Sequence, residues 1–115
     1  MPAYTKRQLS GSTDGRPIAI SGTTSPGTAI HTAATATATF EEVWLWASNT
    51  ATANRILTLE WGGTATTDLV IDTITAQDGM VQVSAGNLIH NSLVVRAYAT
   101  ATGGLNIQGF VNRLA

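Results

Sequence analysis

Apolar side chains recur along this chain with period two, in short runs, and no stretch holds the i, i+3, i+4, i+7 spacing of an amphipathic helix over three turns. In 54–61, Leu57, Leu59 and Trp61 oppose Ile56, Thr58 and Glu60. In 93–100, Leu93, Val95, Ala97 and Ala99 oppose Val94, Arg96, Tyr98 and Thr100. In 105–113, Leu105, Ile107 and Val111 oppose Asn106, Gln108 and Asn112. Successive strand side chains point to opposite faces, so each run reads as a half-buried strand. Further runs at 17–20, 28–32, 40–47, 80–83 and 88–90 are cut off by glycine, asparagine, serine or proline. Spacing alone would allow a helix over 68–74, but its β-branched residues and the Gln77-Asp78-Gly79 turn behind it predict a strand. About eight short strands with turn signals every ~8–12 residues predict an all-β domain, a β-sandwich and most simply a jelly roll.

The 115 residues suffice for one core and not for two. Residues 1–16 hold Lys6, Arg7 and Arg16, two glycines and few apolar side chains, and read as an N-terminal arm. Residues 17–115 read as the sandwich domain. Charged residues are 11% of the chain, under half the usual share of roughly 25%. Six basic and seven acidic residues give a net charge of -1, so no global field draws nucleic acid or an anionic membrane. With no cysteine there is no disulfide framework and no thiolate ligand or nucleophile. No run approaches the ~18 apolar residues of a membrane span, and the first ten residues lack a signal-peptide core. Synthesis in the cytosol is therefore expected, and neither a membrane nor nucleic acid is expected as a partner.

The usual catalytic groups are sparse. His31 and His90 are the only histidines, and no Gly-x-Ser-x-Gly elbow presents a serine to either. Asp68, Asp72 and Asp78 lack calcium-loop spacing; along an extended strand Asp68 and Asp72 sit roughly 13 Å apart. Glu41 and Glu42 are adjacent and point to opposite faces of a strand, and Glu60 is the only other glutamate. Catalysis, a metal and a cofactor are therefore not expected. Trp44 and Trp46 share one face of their strand, opposite Val43 and Leu45. A tryptophan pair left exposed marks a contact, and core or subunit interface is favoured over a platform for sugars. Lys6, Arg7 and Arg16 fit an acidic patch on a protein partner as well as they fit a solubilising terminus.

The order of phrases along the chain resembles the capsid decoration, or cement, proteins of tailed bacteriophages, small virion proteins with β-sandwich or jelly-roll folds. The likeness is carried by Lys6-Arg-Gln-Leu-Ser-Gly-Ser-Thr-Asp-Gly-Arg-Pro-Ile18, Pro26-Gly-Thr-Ala-Ile-His-Thr32 and Glu42-Val-Trp-Leu-Trp-Ala47. It continues in Leu59-Glu-Trp-Gly-Gly63, Ala76-Gln-Asp-Gly79, Leu93-Val-Val-Arg-Ala-Tyr98 and Ile107-Gln-Gly-Phe-Val-Asn-Arg113. It is a likeness of layout across almost the whole chain, and none of these phrases is a catalytic signature. What it implies is a structural role on the capsid exterior: a homotrimer clamping neighbouring major capsid subunits. The contact residues expected from it are Lys6, Arg7, Leu9 and Arg16 on the arm, with Trp44 and Trp46 on the body. Two other readings fit the same residues, a head-fibre base or tail-associated sandwich, and a carbohydrate-binding module using the tryptophans.

Overall fold

The computed structural model describes residues 3–114. Met1 and Pro2, expected in the arm, and Ala115, expected in the sandwich domain, lie outside the described residues. The strands are β1 (Tyr4–Gln8), β2 (Ile18–Ala19), β3 (Thr28–Thr32), β4 (Phe40–Asn49), β5 (Arg55–Trp61), β6 (Leu69–Ile74), β7 (Val81–Ile89), β8 (Val94–Ala99) and β9 (Leu105–Leu114). One 3-10 turn, Thr66–Asp68, precedes β6; of the 68–74 run all but Asp68 is strand, as its β-branched content predicts.

The strands form two antiparallel sheets, an all-β sandwich. Sheet A has the order β1-β9-β4-β7, with β2 also on β9, and sheet B the order β3-β8-β5-β6. β2 pairs with β9, β3 with β8, β4 with β7 and β5 with β6. These pairs fall alternately in sheet A and sheet B. The chain is thus one long hairpin with its tip at the β5–β6 connection, rolled so that successive pairs land in opposite layers.

β4 carries the pattern most cleanly: Glu41, Val43, Leu45, Ala47 and Asn49 are buried, and the residues between them are not. Leu57, Leu59, Ile74, Val95, Ala97, Leu105, Ile107 and Val111 join them in one core. Each large aliphatic side chain sealed there contributes about 1.5–3 kcal/mol. β3 departs from strict alternation. A bulge between Ala29 and His31 turns both Ile30 and His31 inward.

Two boundaries differ from those the sequence suggests. Ser84-Ala-Gly86 looks like the end of a strand, yet β7 runs through it to Ile89. Gly86, at φ +79°, lies in the bulge where the register slips between Val43 and Trp44, so the glycine bends the strand instead of ending it. The described part of the arm is also built into the sandwich. β1 pairs with β9 from Tyr4↔Leu114 to Gln8↔Phe110, and Leu9 is fully buried in the core. Gly11 N–H donates to Ile30 O at 3.0 Å, which ties the loop behind β1 to sheet B.

Candidate functional site

The outward side of sheet A carries the residues that sequence parity groups together. Across its centre, Phe110 of β9 lies between Trp44 and Trp46 of β4. The centroids are 6.2 Å and 6.1 Å apart and the planes are 14° and 29° from parallel. Lys6 Nζ stands 4.6 Å from the centre of the Phe110 ring, a cation–π contact from β1. All three rings are half-buried against one another, and none belongs to the core. Trp44 and Trp46 therefore lie on a surface. Register places Gln108 and Gln82 beside Trp46, and Gln8 beside Phe110. Aromatic faces framed by amides result. Phe110 was not singled out from the sequence, although it shares the parity of Asn106, Gln108 and Asn112, and that parity was the available signal.

Trp44 lies against the β7 bulge. A Cβ at Gly86 would fall 2.9 Å from Trp44 Cζ2, and Trp44 Nε1 is buried with no acceptor among the described residues. Alanine at Gly86 would meet both the left-handed backbone and this ring. Gly86→Ala is expected to cost about 1–2 kcal/mol and to shift tryptophan emission as Trp44 is pushed outward. An unchanged spectrum would mean that the ring does not rest there.

The other expected contact residues divide. Arg7 is exposed and alternates with Lys6, so it faces the other side of β1. Arg16 is exposed and flanks a groove of about 610 Å³, with Thr13, Ala19, Ser48, Thr50 and Asn106. Ser48 and Asn106 are a register pair two residues along from Trp46 and Gln108, so the groove adjoins the aromatic row. Leu9 is corrected: a fully buried core side chain is not available to a partner. The resemblance places it in the contact set as part of the arm, and the fold instead uses it as the apolar anchor between β1 and the body.

Two buried carboxylates, neither singled out from the sequence as a structural centre, tie separate segments to the sandwich. Glu41 accepts from Arg113 Nε at 2.8 Å and from Ala34 N–H at 3.1 Å, and lies 2.8 Å from His31 Nε2. His31 Nδ1 accepts from the Ser10 N–H at 3.0 Å, so the neutral ring carries its proton on Nε2 and donates it to Glu41. Burial pushes the Glu41 carboxyl up, but the hydrogen bonds from His31 and Arg113, the electrostatic pull of the His31 ring and the Ala34 N–H outweigh it. The carboxyl is held below its ordinary value. With both ring nitrogens engaged, this His–Glu pair offers no free base. Glu60 is the counterpart in sheet B. It accepts from Ser25 Oγ and, at 2.7 Å, from Gly27 N–H, and so clamps the 21–27 loop onto β5 and β8.

The aspartates weighed from the sequence do not converge. Asp68 accepts from Ala65 N–H at 3.2 Å, Asp78 from Thr75 Oγ1 at 2.9 Å, and Asp72 is exposed on β6. The charge of Glu42, on the outer face, raises the Tyr4 phenol above its ordinary value. His90 Nδ1 donates to Thr37 O at 2.9 Å. Among the described residues no group of three metal-ligating side chains converges, and no helix is long and apolar enough to cross a membrane. Compared with known proteins, this all-β sandwich matches no family model, no curated protein and no solved structure.

Proposed function

We propose that the protein is a structural component of a phage virion, a decoration protein that binds the outer surface of the capsid and stabilises contacts between major capsid subunits. The observation that carries this reading is the outer face of sheet A. There Trp44, Phe110 and Trp46, each half-buried, form an aromatic row across the middle of the sheet, on the side away from the core. A half-exposed aromatic row with a cation at its rim suits a contact surface, and aromatic side chains carry much of the energy where protein surfaces meet. The likeness of layout to decoration proteins supplies the partner. The order in which β2 to β9 pair supports naming the sandwich a jelly roll. A homotrimer on the shell adds free energy only to the assembled state, which is how such a protein resists bursting.

Pelleting the protein with undecorated shells of the phage that encodes it tests this reading. Saturable binding is expected. Trp46→Ala and Lys6→Glu should each weaken it at least tenfold, about 1.4 kcal/mol, while Ile71→Ser on the outer face of sheet B should not. Absence of the protein from purified virions would end the reading. A head-fibre base or tail-associated part would instead be present in a handful of copies per particle. The amides around the aromatic row favour one reading of another class, a carbohydrate-binding module. It predicts glycan binding that Trp44→Ala and Trp46→Ala both abolish.

A further inference from the structure

β1 overhangs the sandwich. Register sets Thr5 and Arg7 opposite Arg113 and Val111, on the side that faces sheet B, yet all five residues of β1 are exposed. The strand buries no core side chain. It is held by its backbone ladder to β9, by Lys6 over Phe110, by Tyr4 beside Glu42 and, at its end, by Gln8 Oε1 accepting from Gly15 N–H at 3.1 Å. Net hydrogen-bond energies are of the size of the backbone entropy lost per ordered residue, so such a strand gains little by staying in one position. The body is anchored from the next residue onward: Leu9 is in the core, Ser10 N–H donates to His31 and Gly11 N–H to Ile30 O. Gln8–Leu9 is therefore a pivot between a loosely held strand and a complete fold.

We propose that β1 is an exchangeable strand, and that Tyr4–Gln8 of one copy pairs with the Phe110–Leu114 stretch of β9 in a second copy, in the register it uses within its own chain. The occupant of that β9 edge is a second copy because this chain carries both halves of a matched pair: the ladder to β9 and the Lys6–Phe110 contact transfer intact, while the Gln8–Gly15 hydrogen bond stays within the donating chain at the pivot. Pairing two β1 strands edge to edge is disfavoured, since each brings Lys6 and Arg7 and no acid. This inference does not depend on what the assembly coats, and the Trp46→Ala arm of the shell-pelleting experiment tests that reading without touching β1.

The cysteine-free chain permits a direct test. Lys6 and Asn112 are register partners. One preparation carries Lys6→Cys alone and another Asn112→Cys alone; they are mixed at millimolar concentration, oxidised, and the joined peptides identified by mass spectrometry. Exchange predicts that the 6-to-112 disulfide between chains forms at least five times faster than in a control mixture of Lys6→Cys with Thr66→Cys, a site on the exposed β5–β6 connection. Circular dichroism confirms that each variant is folded, both test positions lying on the surface. A 6-to-112 rate equal to the control, or a disulfide confined to single chains when one chain carries both cysteines, would overturn the proposal.

Discussion

Replacing Glu41 with alanine is expected to remove about 3–5 kcal/mol of folding stability, a fall in melting temperature on the order of 10 °C or more. Glu41 is fully buried and joins four parts of the chain: His31 on β3, Ala34 in the following loop, its own strand β4, and Arg113 on β9. Without the carboxylate, the His31 N–H and the Arg113 guanidinium lose their acceptor in a site that water reaches only from one side. Arg113 is 27% exposed, so its guanidinium can rehydrate, and Arg113→Ala should cost less than Glu41→Ala. A domain of this size holds about 5–15 kcal/mol in all, so Glu41→Ala brings it close to the edge. Thermal melts followed by circular dichroism measure both, and a loss under about 1 kcal/mol for Glu41→Ala would contradict the network.

The same carboxyl makes stability depend on acid in a definite direction. Its folded value lies below its ordinary one, so the unfolded chain binds the proton more readily. The contribution is therefore present in full above the ordinary glutamate value of 4.5 and is lost as the pH falls through the folded value. Melting temperature should decline below about pH 4, and Glu41→Gln should flatten that part of the decline while lowering stability at neutral pH.

Alanine at Gly109 carries the second large effect. An added Cβ would lie 1.9 Å from Trp44 O and 2.9 Å from Trp44 C, with Leu45 Cα at 3.1 Å. These are backbone atoms at the centre of the β4–β9 ladder, and no rotamer change moves them aside. The strands must part, at a cost of about 3 kcal/mol, the upper end of what overpacking produces. Phe110 adjoins Gly109 in β9 and Trp44 faces it across the ladder, so tryptophan emission should change along with stability. A Gly109→Ala protein that melts within a degree or two of the parent would mean that the two strands do not approach so closely.

Most of the layering was legible in the letters because burial on a sheet follows parity. Val43, Leu45 and Ala47 go in while Trp44 and Trp46 go out, and Leu105, Ile107 and Val111 oppose Asn106, Gln108 and Asn112 in the same way. What parity cannot report is a slip of register. Gly86 reads as a stop and is a bulge, and Ile30 and His31 both turn inward because the bulge beside them adds a residue. Nor can it say which polar residues are sealed. Glu60 lies on the outward side of β5 and is 1% exposed, because the 21–27 loop folds over it.

The candidate surface was half visible. The tryptophan pair is a local feature of one strand, whereas Phe110 and Lys6 reach it from β9 and β1, more than sixty and nearly forty residues away along the chain. By itself the sequence determined the class of fold, the faces of the long strands and the absence of thiol chemistry, since these depend on side-chain alternation and composition. Only the tertiary structure decided that Leu9 is core, that Glu41 and Glu60 are structural centres, and that Tyr4–Gln8 runs as an edge strand. Each of those depends on contacts between segments far apart in sequence, which alternation along any one of them cannot encode.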